Sequence, residues 1–294
     1  MLTPKLEQLR AQINTALEQT LPTESDIAQP IVDAMRHAVL GGGKRLRPLL
    51  VCAVADAFGE DVATAMPPAC AVEFIHAYSL IHDDLPAMDD DELRHGLPST
   101  HIKYGEANAI LAGDSLHSLA FESIASSEAY SAEARLRMIA HLSVAAGWSG
   151  MAGGQCMDIE AEGRDLSLTE LQALHSAKTG ALIRTAVQLG AMTAPQHTDE
   201  QFALLSEFGD RLGLAFQVMD DVLDVTQSTE QLGKPAGSDE EADKNTFPKL
   251  VGVSQARELA QSLVGEAHAL LDRTHLPKTD DLAHLAEIVV NREH

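Results

Sequence analysis

A dense run of carboxylates lies early in the chain, where six acidic side chains fall within ten residues: Asp83, Asp84, Asp89, Asp90, Asp91 and Glu92. Such a run usually marks a solvated helix end, but this one follows an apolar helical pattern over residues 71–85. In an unbroken helix Asp89 would lie about 240° around the axis from Asp83. Because Pro86 disfavours a continuous helix, we predict a break near it that returns Asp89 toward Asp83.

A second acidic group has the spacing of one helical face. Its members are Gln217, Asp220, Asp221 and Asp224. Each of the three carboxylates falls within about 60° of Gln217 on a helical wheel. Apolar residues occupy the other faces of this segment. We therefore expect the stripe to be buried or to face a cleft.

The two acidic groups together indicate a magnesium site. Buried carboxylates lose hydration and repel one another, so a cation is their natural partner. Ligand sets made only of oxygen suit Mg²⁺, which commonly bridges carboxylates to substrate phosphates.

Basic residues are scarce, because 21 Lys and Arg face 44 Asp and Glu for a formal net charge of -23. Lys44, Arg45 and Arg47 nevertheless stand together between the glycines at 41–43 and an apolar helical pattern. Cations at a helix start are disfavoured by the helix dipole unless an anion is bound there. The segment is therefore predicted to bind a diphosphate through its backbone amides and its cations.

Further polar candidates are spread along the chain. His76 lies seven residues before Asp83, on the same helical face and about 10.5 Å away; a lone histidine in such a place is more often a core residue than a ligand. The others are Arg94, His95, Lys178, Thr179, Lys234 and Lys244. Together they could surround two polyanionic groups.

Helical periodicity extends over nearly the whole chain, and aromatic residues make up only 4% of it. This composition favours helix over sheet. We find no repeat and no long linker, so we predict a single all-α domain, 1–294, built as a bundle of about ten or more mostly antiparallel helices. Breaks are expected at the glycines and prolines of 41–43, 67–68, 96–98, 153–154, 195 and 233–235.

Charge and composition exclude several classes of protein. A strongly acidic surface repels nucleic acid and anionic membranes, and no segment approaches the roughly 20 apolar residues of a membrane span. The N-terminus lacks the pattern of a signal peptide. Three scattered cysteines, Cys52, Cys70 and Cys156, predict a reducing compartment. We expect a cytoplasmic protein.

Taken in order, the motifs resemble those of the bacterial short-chain trans-prenyl diphosphate synthases, most closely the enzymes that make farnesyl diphosphate. The resemblance extends from Gly41 to Arg292. It rests on Gly42-Gly43-Lys44-Arg45-Leu46-Arg47-Pro48, Asp83-Asp84-x4-Asp89 with Leu93-Arg94, Gly153-Gly154-Gln155, Lys178-Thr179-Gly180 and Gln217-x-x-Asp220-Asp221-x-x-Asp224. It implies an all-α homodimer whose two aspartate motifs face each other across a central cavity. The implied reaction is head-to-tail condensation of dimethylallyl or geranyl diphosphate with isopentenyl diphosphate.

The resemblance also implies a role for each candidate. Asp83 and Asp89 would bind two Mg²⁺ and Asp220 a third, supported by Asp84, Asp221 and Asp224. Isopentenyl diphosphate would be bound by Lys44, Arg47 and His76. The allylic diphosphate would be bound by Arg94, Lys178 and Lys234, with Lys244 closing over it. Thr179 and Gln217 would lie beside the developing carbocation, and Arg292, Glu293 and His294 would cover the substrate.

One residue departs from the family pattern. The family usually has two arginines after the first aspartate motif, whereas this chain has Arg94 and His95. A neutral imidazole offers one donor where a guanidinium offers several. We therefore expect isopentenyl diphosphate to bind more weakly, or in a pH-dependent way.

Two residues before the first motif bear on product length. In the family, the fourth and fifth residues before the first aspartate shape the floor of the elongation pocket, and here they are Ser79 and Tyr78. Ser79 shares a helical face with Asp83, but Tyr78 is about 100° around from Ser79, so helix geometry alone leaves an ordinary core role open for it. By resemblance, the aromatic residue and the two-residue insertion between Asp83 and Asp89 imply a fifteen-carbon product.

Alternatives remain at this point. A geranylgeranyl or geranyl diphosphate synthase would use the same chemistry and stop at another length. A terpene cyclase also has aspartate-rich metal sites but needs no second diphosphate site. Lys44, Arg47 and His76 could form such a second site, so their presence disfavours a cyclase. A non-catalytic regulatory subunit would typically lack one aspartate motif, and both are present.

Overall fold

Helices account for most of the chain. The computed structural model describes residues 1–161, 163–226 and 245–291. The first helices are α1 (Pro4–Thr20), α2 (Gln29–Leu40), α3 (Leu46–Ala57) and α4 (Val62–Asp83). A hairpin of β1 (Leu93–Arg94) and β2 (Leu97–Pro98) precedes α5 (Thr100–Tyr104), α6 (Glu106–Ala125), α7 (Ala132–Ala146) and α8 (Met151–Glu160). Next come α9 (Leu168–His175), a π-helical turn (Ser176–Gly180), α10 (Ala181–Met192) and α11 (Asp199–Thr226), and last α12 (Phe247–Val251), α13 (Val253–Thr274) and α14 (Asp280–Asn291). The all-α prediction is confirmed.

Two helices begin where side chains cap them. Before α9, Ser167 accepts the Glu170 amide while the Glu170 carboxylate accepts the Ser167 amide. Thr198 and Gln201 form the same reciprocal pair before α11, at 3.1 Å in each direction. Each pair satisfies amides that have no partner inside the helix.

Two expected breaks do not occur. Pro67 and Pro68 lie inside α4, and the Thr64 carbonyl, which Pro68 cannot bond, instead accepts the Tyr130 hydroxyl. The external donor replaces the missing helical hydrogen bond, so the helix continues. Gly153 and Gly154 likewise lie inside α8.

The helices that carry the acidic groups, α4 and α11, are both fixed by core packing. Helix α10 packs against both of them, α4 also packs against α3 and α6, and α11 packs along α13. The fully buried Phe74 of α4 and Phe208 of α11 belong to one core. A smaller buried cluster around Phe247 joins α9, α11, α12 and α13. No helix in the described part of the chain combines the length and apolarity needed to cross a bilayer.

Candidate active site

A cleft of about 640 Å³ brings the two acidic groups together. Asp83 at the end of α4 and Asp220 of α11 both line it. Nine other residues singled out from the sequence line it too: Arg47, His76, Tyr78, Ser79, Arg94, His95, Lys178, Thr179 and Gln217. Among the remaining lining residues, Met88, Met151, Ile159 and Phe216 supply apolar surface. Cations, carboxylates and an apolar wall therefore share one space.

The chain leaves the helix within the first acidic group. Helix α4 ends at Asp83, and the Asp89 amide donates to the Asp83 carbonyl at 2.8 Å. The turn is closed by the Met88 amide, which donates to the Leu85 carbonyl at 2.8 Å. The predicted return of Asp89 toward Asp83 is confirmed, although the helix ends slightly before Pro86. Burial, together with the neighbouring Asp89, raises the pKa of the Asp83 carboxyl to about 6 although Lys178 opposes the shift.

The second acidic group divides between the cleft and the interior. Asp220 and Gln217 line the cleft, whereas Asp221 and Asp224 are each only 3% exposed. Asp221 accepts the Phe247 amide at 3.0 Å and lies 3.7 Å from His175 Nε2. Consecutive helical residues point about 100° apart, so Asp220 and Asp221 cannot both face one space. Each member of the predicted stripe is therefore either at the cleft, as Gln217 and Asp220 are, or buried, as Asp221 and Asp224 are.

The π-helical turn presents Lys178 and Thr179 to the cleft. Lys178 Nζ pairs with Asp158 Oδ2 of α8 at 2.6 Å. Thr179 Oγ1 donates to Gln217 Oε1 at 2.8 Å, and Gln217 Nε2 donates to Asp221 Oδ1 at 3.4 Å. The motif thus lies in a widened turn between α9 and α10, a feature frequent at functional sites.

The hairpin supplies Arg94 and His95. Arg94 Nε donates to Asp84 Oδ1 at 3.0 Å, and its terminal nitrogen reaches Asp91 at 3.1 Å. His95 and Gly96 form the two-residue turn with φ of 54° and 76°, as a tight hairpin requires. Burial and the nearby Arg94 lower the pKa of His95, so its ring is neutral at neutral pH. Asp84 is buried beneath Arg94 and does not line the cleft.

The three cations of the glycine-rich segment have different surroundings. Arg47 lines the cleft, and its buried Nε has no hydrogen-bond partner among the residues that the structure describes. Arg45 points into the core, where it donates to Glu73 at 2.7 Å and to Asn14 at 2.9 Å. Lys44 is exposed and does not line the cleft. Of the three, Arg47 alone is positioned for a ligand in this cleft.

Histidine 76 stands beside Arg47 at the cleft. Burial and the positive charge of Arg47 hold the pKa of His76 well below its ordinary value. The ring is therefore neutral and offers a hydrogen bond rather than a charge.

Several residues fall outside the sequence predictions or outside the described residues. Lys234, Lys244 and the C-terminal Arg292, Glu293 and His294 lie outside the described ranges.

The sequence did not single out Asp158 and His175, because their partners Lys178 and Asp221 are distant in the chain. The i, i+3 spacing of Asp158 from the motif residue Gln155 was the available signal.

The donor set of the cleft fits a magnesium ion that shares its ligands with a substrate. Within the described ranges no three His, Cys, Asp or Glu side chains converge to hold a metal by themselves. The half-buried Asp83 carboxyl has its pKa raised by burial and by the neighbouring Asp89 carboxylate, and carboxylate oxygens are ligands that Mg²⁺ prefers. Mg²⁺ typically uses one or two carboxylates and completes its shell with phosphate oxygens and water.

Comparison with known proteins agrees with this geometry. The family described as polyprenyl synthetase matches residues 28–278. Farnesyl diphosphate synthase of Escherichia coli is 46% identical over 292 residues, covering 98% of each chain. The chloroplastic geranylgeranyl pyrophosphate synthase of Catharanthus roseus is 43% identical over 96% of this chain and 78% of its own length. A solved geranyltransferase from Helicobacter pylori, complexed with magnesium and isoprenyl diphosphate, superposes with a TM-score of 0.87 at 32% identity, covering 99% of this chain and 98% of its own.

Proposed function

The chain belongs to the polyprenyl synthetase family, and from that premise we propose that it is a farnesyl diphosphate synthase. It joins dimethylallyl and then geranyl diphosphate to isopentenyl diphosphate, head to tail. The observation that carries the proposal is the shared cleft, in which Asp83 and Asp220 stand with Arg47, Arg94 and Lys178.

The cations divide the cleft into two diphosphate sites. Lys178 and Arg94 lie with Asp83 and Asp220 and bind the allylic diphosphate. Arg47, His76 and His95 bind isopentenyl diphosphate, and Lys44, which does not line the cleft, is assigned to the same substrate by resemblance alone. The unpartnered, buried Arg47 Nε supports this assignment, because a buried donor gains most from an anion. Lys234 and Lys244 belong to the allylic side by resemblance alone.

Magnesium completes the allylic site. We assign three ions, two to Asp83 and Asp89 and a third to Asp220, with Asp84, Asp221 and Asp224 orienting these ligands. The fold-back of Asp89 onto Asp83 supports the first pair. When bound, Mg²⁺ would neutralise the diphosphate and make it a better leaving group.

The side chains account for the rest of the reaction. Lys178 and Arg94 hold the allylic diphosphate while its C–O bond ionises, and both bonding electrons leave with the diphosphate. The allylic cation remains beside Thr179 and Gln217, whose amide oxygen is oriented by the Thr179 hydrogen bond. Apolar walls such as Phe216 keep water from the cation.

Carbon–carbon bond formation follows at the second site. Arg47 and His76 hold isopentenyl diphosphate so that its double bond attacks the allylic cation. The new cation loses a neighbouring proton to the departing diphosphate, which restores a double bond. No protein nucleophile takes part, and the buried thiols Cys52 and Cys70 lie in the core.

Geranylgeranyl diphosphate synthase is the second candidate, since a chloroplastic enzyme of that name is 43% identical. Tyr78, which lines the cleft five residues before Asp83, favours the shorter product. We further propose a single domain over 1–294, a homodimer and, from the free cysteines, a cytoplasmic location.

One assay tests catalytic activity, metal dependence and the chain length of the product. The full-length protein is supplied with labelled isopentenyl diphosphate and either dimethylallyl or geranyl diphosphate, with and without EDTA, and the dephosphorylated products are separated by chromatography. We expect a fifteen-carbon alcohol that disappears with EDTA. A main product of ten or twenty carbons would replace the length assignment, and absence of any product in Mg²⁺ would contradict the function. Sedimentation velocity tests the dimer.

A further inference from the structure

Four ring-bearing side chains form a stack across the contact between α4 and α6. The Tyr78 ring meets the His117 ring edge-on at 5.1 Å, and the His117 ring meets the Phe121 ring edge-on at 5.1 Å. Tyr78 also meets His82 edge-on at 5.7 Å. Edge-to-face packing is a favoured arrangement for such rings, so Tyr78 is held from a second helix.

The members of this stack differ in their relation to the cleft. Tyr78 and His82 line it, whereas His117 and Phe121 do not. His117 therefore contacts Tyr78 without itself lining the cleft. The wall at this point is two side chains deep, with one layer from α4 and the other from α6.

The spacing of the two helices is fixed close to the stack. A Cβ at Gly113 would lie 2.3 Å from His82 Nε2, so the glycine leaves the space that the His82 ring occupies between α4 and α6. His82 Nε2 also contacts the Ile110 carbonyl at 3.1 Å. His117 follows Gly113 by four residues, on the same face of α6. His117 thus extends from the face of α6 that contacts α4, and its ring meets the Tyr78 ring.

We propose that His117 is a specificity-determining residue that limits product length by holding Tyr78 in place. The inference rests on the proposed function, in which a hydrocarbon chain grows from the diphosphate at Asp83 into the cleft. A tyrosine side chain has two rotatable bonds, so its ring stops a growing chain only if it cannot turn aside. His117, backed by Phe121, occupies the space into which the ring would turn.

Substitution of His117 should therefore lengthen the product while Tyr78 is retained. His117→Ala opens a gap on α6, and we expect the ratio of the next longer product to the wild-type main product to rise at least tenfold. His117→Phe keeps an edge-on ring behind Tyr78 and should retain the wild-type ratio. His117 is partly exposed, so its truncation should be tolerated, and His117→Gln provides a milder second variant.

The test compares product ratios from labelled isopentenyl diphosphate and geranyl diphosphate for the full-length variants, each checked by thermal unfolding. The matched control is His141→Ala. His141 lies on α7, its ring meets the Phe202 ring edge-on at 5.7 Å, and it does not line the cleft. A wild-type ratio in folded His117→Ala or His117→Gln would overturn the proposal, as would equal lengthening in His117→Phe. If the wild-type protein makes a main product other than fifteen carbons, the proposed product length fails, but the His117 comparison still stands on its own ratio.

Discussion

Arg45 and Arg47 are two positions apart in the sequence but differ in their hydrogen-bond partners. Arg45 is buried and paired with Glu73 at 2.7 Å, whereas the buried Nε of Arg47 has no hydrogen-bond partner within the described ranges. Burial lowers the pKa of Arg47 although Glu73 and Asp220 oppose the shift. A buried donor without a hydrogen-bond acceptor destabilises the free protein and favours an incoming anion. The first arginine thus maintains the fold and the second is available to substrate.

Replacing each arginine by glutamine should separate these roles. Arg47→Gln should raise KM for isopentenyl diphosphate about 30-fold, as expected for loss of about 2 kcal/mol of charge-assisted hydrogen bonding, with stability kept. Arg45→Gln should cost about 3 kcal/mol of unfolding free energy, because Glu73 is left buried and unpaired. Steady-state kinetics and urea unfolding measure both. The assignment is wrong if Arg47→Gln binds isopentenyl diphosphate normally.

The neutral ring of His95 leads to a second prediction. Because burial and Arg94 lower its pKa, His95 carries no charge at pH 8, and a guanidinium there would add one. His95→Arg should lower KM for isopentenyl diphosphate about fivefold, or about 1 kcal/mol, when rates are measured at pH 8. An unchanged KM would remove His95 from that subsite. His95→Gln, also neutral, is the control and should stay near the wild type.

Tyr78 is the residue at which product length is most directly tested. Helix geometry left its direction open, and the structure places it at the cleft. Tyr78→Ala should shift the main product to twenty carbons or more, as read by chromatography of the dephosphorylated alcohols. Ser79→Ala is the control, because the Ser79 hydroxyl is bonded to the His76 carbonyl at 2.9 Å and its loss changes little volume. An unaltered profile for Tyr78→Ala would rule out the tyrosine as the stop.

At the scale of elements, close helix contacts hold the reactive side chains in place. Helix α8 approaches the π-helical turn so closely that a Cβ on Gly154 would lie 2.2 Å from the Lys178 amide nitrogen. Asp158, one turn further along α8, pairs with the Lys178 side chain. The same helix thus fixes both the backbone and the ammonium group of Lys178.

Gly154→Ala should therefore displace Lys178. We expect kcat to fall at least tenfold and stability to fall by about 1–3 kcal/mol, as overpacking typically costs. Rates and thermal unfolding give the two values. Gly265→Ala is the control: it lies within α13 with open space around it, and should raise stability by about 0.5–1 kcal/mol without changing kcat. Normal kcat in Gly154→Ala would show that the contact is not needed for catalysis.

Local physics explains which elements could be predicted. The missing amide of Pro86 and the acidic run implied a fold-back, and the Asp89–Asp83 hydrogen bond has that form. Pro67 and Pro68 gave the same local signal, yet α4 continues because Tyr130, distant in sequence, bonds the Thr64 carbonyl. The inward turn of Arg45 depends equally on Glu73, from another helix. Partners supplied by distant segments are invisible to a local reading.

For the whole molecule, charge is distributed unevenly between surface and cleft. The chain has a formal net charge of -23, yet Arg47, Arg94 and Lys178 converge on one cleft that also contains Asp83 and Asp220. An anionic substrate is repelled by an acidic surface, whereas the cleft offers it three cations. The cleft carboxylates then require additional cations before two diphosphates can bind side by side.

Magnesium and diphosphate should therefore stabilise the protein together rather than separately. No three carboxylates in the described ranges form a metal site alone, so Mg²⁺ by itself should shift Tm by no more than about 1 °C. Inorganic diphosphate with Mg²⁺, at about 100 times its Kd, should add about 2.7 kcal/mol, which corresponds to roughly 5–10 °C for a chain of this size. Differential scanning fluorimetry measures the shifts, with Asp220→Asn as a variant that should lose most of the joint effect. A large shift with Mg²⁺ alone would mean that the protein holds the metal without substrate, and the shared-ligand account of the cleft would have to be abandoned.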